Sequence, residues 1–197
     1  MSVRFIVRSM PRVSEEHLAA RRRQILDAAR ACFMREGFHA TSMQDVIKEA
    51  NLSVGAVYRY FGSKNEIVKA IAEGVFVEVD RTLKALAEHE PALEVIEVAE
   101  HALNFIDAQT GPDGAFRMAL PVWAEALRDP ALGEFVAGKF TTIRGHFIKA
   151  ARRAGVSNPE AAGAVLFGLI PAFGVQRVLS GQPSKETFLA GIKVLLN

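Results

Sequence analysis

A single cysteine, Cys32, leaves the chain without the pair that an intrachain disulfide needs. No apolar run approaches the ~20 residues that span a bilayer. The opening MSVRFIVRSMPRV carries arginines but lacks the apolar core of about 7–15 residues that marks a secretory signal. Alternating strand patterns, Gly-rich phosphate loops, low-complexity tracts and internal repeats are all missing. His17, His39, His89, His101 and His146 fall at no metal-ligand spacing, so no metal is expected and they read as surface or packing residues. No nucleophile–base pair, carboxylate pair or cofactor loop supports an enzyme. These absences point to a cytoplasmic chain without disulfide, cofactor, metal or membrane span.

What remains is helical and unevenly charged. Residues 1–64 hold 11 Lys and Arg against 6 Asp and Glu, whereas residues 65–197 hold 13 against 16. A basic first third on a mildly acidic remainder suits a head that meets a polyanion. Residues 1–13 read as a loose arm in which Met10 competes with Met1 as the native start. Ser14 then caps a helix whose apolar stripe is Ile25, Leu26, Ala29, Cys32 and Phe33, closed by Gly37. Cys32 sits on that stripe as a small core residue.

The stretch TSMQDVIKEANLSVGAVYRYFGSKNEIVKAI carries two short helices. Ser42 caps the first with Asp45 at its third position, and Val46, Ile47 and Ala50 face inward. Asn51 stands where the turn needs a residue that tolerates positive φ. Ser53 caps the second helix, which holds Ala56, Val57 and Phe61. Ser63 and Glu66 form a capping box opening a helix to about residue 88. Two helices packed across a three-residue turn make a helix-turn-helix, and the second can enter a major groove. Its outward candidates are Gly55, Tyr58, Arg59 and Tyr60. Arg59 can pair with guanine and the tyrosines can meet phosphate or thymine methyl. Thr41 and Ser42 place hydroxyls and backbone N–H groups where a phosphate can sit, and Lys64 offers it a charge. Ordinary packing aromatics are the competing account of Tyr58, Tyr60 and Phe61.

Residues 20–67 resemble the DNA-binding head of the tetracycline-repressor-like (TetR) family of bacterial regulators. The resemblance rests on Ile25, Ala28, Ala29, Phe33, Gly37, Thr41, Ile47, Ala50, Ser53, Gly55, Val57, Tyr58, Tyr60, Phe61, Lys64 and Glu66, and above all on the run from Ser53 to Lys64. It implies DNA contacts from Thr41, Ser42, Gln44, Ser53, Gly55, Tyr58, Arg59, Tyr60 and Lys64. Asn51, where the family often has Gly, and Val54, where a polar residue is common, depart from the pattern. The implied fold is all-α with about nine helices: an arm at 1–13, a three-helix DNA-binding domain at 14–64, and a ligand-binding and dimerisation domain at 65–197.

Past residue 88 the pattern predicts helices at roughly 92–109, at 114–128 with a kink or break at Pro121, from a turn at Arg128-Asp129-Pro130 to about Ala154, at 159–180, and from Ser184 onward. Phe105, Phe116, Met118, Trp123, Phe135, Phe140 and Phe147 suit either a plain core or an apolar pocket. The candidate ligand residues are His101, Phe105, Phe116, Trp123, Glu125, Phe140 and Phe147, with Arg117, Arg144 and His146 as further polar anchors. Ala162, Val165, Leu166, Leu169 and Phe173 form a stripe on a thin helix, either internal core or a dimer face. The resemblance implies a symmetric homodimer on double-stranded, near-palindromic DNA, released by a small apolar or cationic effector. A regulator answering to a protein partner, or to no ligand, is the alternative.

Overall fold

The computed structural model describes residues 15–112 and 114–196, all helix and connecting turn. The expected arm and the Ser14 cap lie outside the described residues. Among the described residues nine α-helices follow in order: α1 Glu15–Glu36, α2 Met43–Glu49, α3 Val54–Tyr58, α4 Lys64–Ala87, α5 Val95–Ala108, α6 Ala119–Ala126, α7 Pro130–Arg153, α8 Pro159–Ser180 and α9 Lys185–Leu196. They divide into two compact units, one ending at Ile67 and one beginning at Val68, with α4 running from the first into the second.

In the first unit α1 buries Ile25, Leu26, Ala28, Ala29, Cys32 and Phe33 along one stripe. Burial pushes the Cys32 thiol up from its ordinary pKa, as befits an inert core residue. Gly37 ends α1 at φ +82°, a backbone setting that a side chain resists. Ser42 and Asp45 close a full capping box on α2. The Asp45 carboxylate accepts from the Ser42 hydroxyl at 2.6 Å and from its N–H at 2.8 Å, which holds its pKa below the usual range.

In the second unit α7 lies along α8, α5 packs on α8 and α9, and α6 packs on α7. Asp129 caps α7 by accepting from the Ala131 and Leu132 N–H groups, with Pro130 in the first turn. Asn158 and Pro159 do the same for α8, and Gly181 ends it in the left-handed region. Two expectations need correction. α5 starts at Val95, three residues late, because Glu94 caps it through Glu97. The kink or break expected at Pro121 lies just before it: a 3₁₀ turn at Ala115–Met118 precedes α6, so Pro121 falls in the first turn, where its missing N–H had no helical partner to lose.

The 22-residue α8 also qualifies the sequence reading on apolar runs. Its most apolar window has mean hydropathy 1.6, enough in length and composition for a spanning helix. Yet it has two unlike faces. Gly163, Leu166, Ile170, Phe173 and Gly174 are buried, while Ala161, Ala164, Val165, Gly168, Ala172 and Leu179 are exposed.

Candidate nucleic-acid interface and effector cavity

The turn between α2 and α3 is built by three backbone choices. Asn51 takes φ +50°, as its position in the sequence required. The Leu52 N–H donates to the Ile47 carbonyl at 3.3 Å and the Asn51 N–H to the Lys48 carbonyl at 3.1 Å, the paired bonds of a Schellman end. From α1, the Gln24 amide donates to the Ala50 carbonyl at 2.8 Å, tying off another orphan at the end of α2. The chain then re-enters helix at Ser53, whose hydroxyl accepts from the Ala56 N–H.

This frame leaves α3 only five residues long, with Val57 fully buried on its inner side. The outer side is open. Ser53, Val54, Gly55, Tyr58 and Arg59 are exposed, Tyr58 by 46 % of its surface. Arg59 is the C-cap, and Tyr60, one residue past it, is half-buried. A Cβ on Gly55 would meet nothing within 4 Å. The fold itself therefore does not demand glycine there, whereas close approach of an outside body would. Ser42 and Gln44, at the start of α2, are exposed as well.

Two of the expected DNA-facing side chains are turned inward. Thr41 is 1 % exposed, and its hydroxyl donates to the Gly37 carbonyl at 2.8 Å, closing the loop between α1 and α2. Its hydroxyl proton is held inside the fold rather than offered to a phosphate. The Lys64 ammonium donates to the Phe38 carbonyl at 2.7 Å and the Thr41 carbonyl at 2.9 Å, and lies 4.3 Å from the Phe38 ring centre. Its charge fastens that same loop, so two of its three donors are unavailable to a phosphate. Glu66 answers Ser63 one residue earlier than expected, accepting from the Gly62 N–H at 2.8 Å.

The second unit holds a half-open cavity of about 350 Å³, whose α8 wall includes the exposed Gly168 and Ala172. Phe105, Phe116, Trp123, Phe140 and Phe147 line it, as the aromatic pattern suggested, together with Met118. Edge-to-face contacts chain Phe116 to Trp123, Trp123 to Phe140 and Phe140 to Phe167, at ring separations of 5.9, 5.9 and 5.2 Å. Gly174 makes room for this wall, since a Cβ there would stand 2.6 Å from the Phe116 ring. The polar anchors expected from sequence are elsewhere. His101 is exposed, and neither it nor Glu125 lines the cavity. His146 meets Asp80 at 2.8 Å, Arg117 donates to the Gly111 carbonyl at 3.0 Å, and Arg144 is exposed. Sequence reasoning missed the α4 wall of Ile71, Val75, Phe76 and Val79, although their three- and four-residue spacing is a visible helical stripe.

The expected dimer stripe is split. Leu166 and Phe173 are buried in the second unit's own core, so neither is open to a partner. Val165 is 58 % exposed, while Ala162 and Leu169 are half-buried. The open apolar face of α8 also includes Leu179, 73 % exposed, and α9 adds exposed Val194 and Leu195.

Residues 25–71 match the family model described as bacterial regulatory proteins, tetR family. The HTH-type transcriptional regulator YfiR of Bacillus subtilis is 42 % identical over 80 residues, covering 41 % of this chain and 39 % of that protein. The HTH-type transcriptional repressor Rv1474c of Mycobacterium tuberculosis is 38 % identical over 87 residues, 44 % of each. The chain thus matches about two fifths of the length of these curated relatives. Among solved structures, SmeT in complex with triclosan has the same fold, with a TM-score of 0.69 at 22 % identity over 87 % of this chain and 91 % of that one.

Proposed function

Since the chain is a member of the tetR family of bacterial regulatory proteins, we propose that it is a ligand-responsive transcriptional repressor that binds a near-palindromic operator as a homodimer. The observation that carries this reading is the outer side of α3. Gly55, Tyr58 and Arg59 are presented to solvent by a helix whose inner Val57 is locked in the core. A short, narrow helix on a Schellman turn, with Tyr58 and Arg59 at its outer end, suits insertion into a major groove. Arg59 reads base edges, Tyr58 and Tyr60 touch backbone or thymine, and Gln44 and Ser53 hold the flanking phosphates, while Ser42 with Asp45 fixes the start of α2 beside them.

A head this small gains specificity by pairing, because two heads on one helical repeat of DNA read twice the sequence. The open faces of α8 and α9 suit that pairing. Val165, Leu179, Val194 and Leu195 are large apolar side chains left in water by the single chain. Residues 65–197 then serve dimerisation and effector binding, and residues 14–64 bind DNA. The cavity supports a small-molecule effector, as does the triclosan held by SmeT on the same fold. An effector that binds the DNA-free arrangement more tightly shifts the population away from the operator.

The test is selection of the full chain against random-sequence duplexes, followed by gel-shift titration. Enrichment of an inverted repeat bound by two chains, with affinity falling steeply with salt, is the expected result. Failure to enrich any sequence over the starting pool would overturn the proposal.

A further inference from the structure

The cavity of the second unit says more about its occupant than that it is small. Every residue on its wall is uncharged, and its surface is carbon almost throughout. His101 and Glu125 are off the wall, and His146 and Asp80 face each other. An ion drawn in from the open side against such a wall sheds much of its water and gains no counter-charge. A quaternary ammonium could do without a carboxylate if open aromatic faces surrounded it. Here, however, Phe116, Trp123, Phe140 and Phe167 stand edge to face along a chain, and each of these three contacts takes up one ring face with a neighbouring edge.

Size narrows the class further. An apolar cavity of about 150 Å³ accepts one benzene. In proportion, a space of about 350 Å³ holds about ten to fifteen non-hydrogen atoms. We infer that the effector is an uncharged, hydrocarbon-rich molecule of one or two compact rings, and that cations and anions of the same shape are excluded. The inference rests on the effector reading above and decides between the apolar and cationic ligands that the sequence left open.

The chain carries its own reporter. Trp123 is the only tryptophan and stands on the cavity wall between Phe116 and Phe140. The experiment titrates the full chain, without DNA, with three compounds of one shape that do not absorb with tryptophan: 1-adamantanol, 1-adamantylammonium and 1-adamantanecarboxylate. Trp123 emission is read, and equilibrium dialysis gives the stoichiometry. The neutral alcohol should bind saturably, one per chain, and both ions should bind on the order of a hundredfold more weakly. Val75→Phe on α4 and Val175→Phe on α8, each filling the cavity from a different wall, should weaken the alcohol at least about tenfold. Binding of either ion as tight as the alcohol overturns the inference, as does alcohol binding that is absent or unchanged in both filled variants. If a variant does not fold, the three-compound comparison on the unaltered chain still decides. No DNA enters these titrations, so failure of the duplex selection would remove the repressor reading alone.

Discussion

Replacing Lys64 by methionine separates two roles that the sequence could not. The side chain keeps its length and loses its charge. Two charge-assisted hydrogen bonds disappear, to the Phe38 and Thr41 carbonyls at 2.7 and 2.9 Å. A charged hydrogen bond is worth about 1.5–3 kcal/mol, but these two share one half-buried ammonium, so the pair counts for less than twice that. The cation over the Phe38 ring at 4.3 Å adds roughly 0.5–1 kcal/mol at an exposed site. Part of the total returns as methionine packs on the ring, which leaves about 2–4 kcal/mol of destabilisation in the first unit. The chain allows that unit to be read by itself, because its only tyrosines, Tyr58 and Tyr60, fall there and its only tryptophan falls in the second. In urea unfolding, the tyrosine second-derivative absorbance of the Lys64→Met chain should therefore shift to lower denaturant while Trp123 fluorescence does not. A phosphate-binding lysine predicts another outcome: unchanged unfolding, with weaker duplex binding and a salt slope smaller by about one. That result would refute the fastening role.

Arg59→Ala should lower affinity for the selected duplex by about 1–3 kcal/mol and relax preference at particular base positions; equal losses on selected and scrambled DNA in gel shifts would count against base reading. Tyr58→Ala, at an exposed position, should weaken binding without changing the helical circular dichroism. Val165→Glu together with Leu179→Glu should yield folded monomers by sedimentation, whereas Leu166→Glu should unfold the second unit by burying a lone charge, at several kcal/mol. Asp45 has its pKa lowered by the Ser42 hydrogen bonds. Its contribution to the α2 cap is thus complete above the ordinary carboxylate pKa of about 4 and lost as pH falls through the depressed value. Asp45→Asn should flatten the acid limb of the first unit's stability curve, and an acid limb identical to that of the unaltered chain would show the cap to be irrelevant.

The helices were legible where a terminus carries its own chemistry. Ser42 with Asp45, Asp129 with Pro130, Asn158 with Pro159, and Gly37 and Gly181 at φ of +82° and +70° all act as their residue types dictate. Asn51 could be placed at positive φ because few side chains accept it there. The α5 boundary slipped because a glutamate box at Glu94 and Glu97 looks in sequence like ordinary surface charge. Pro121 marked the interruption but not its exact place: the residue ends a helix or begins one, and the 3₁₀ turn that decides the matter leaves little signature of its own.

Which face of a helix is inside is a harder question than where the helix lies. Periodicity finds a stripe, but α8 carries apolar residues nearly all round, so Leu166 and Val165 are indistinguishable until α7 and α5 cover one side. The same ambiguity governed Thr41 and Lys64. A threonine and a lysine beside a recognition element look like phosphate ligands, yet the loop from Gly37 to Thr41 has its own carbonyls to satisfy before any DNA arrives. These two residues answer that need, at Gly37, Phe38 and Thr41. A polar side chain next to a binding surface is therefore first a candidate for the backbone groups the fold leaves open. Only those with nothing of that kind in reach are strong candidates for the ligand. By that criterion Tyr58 and Arg59, exposed at the end of α3, are the residues whose chemistry is directed outward.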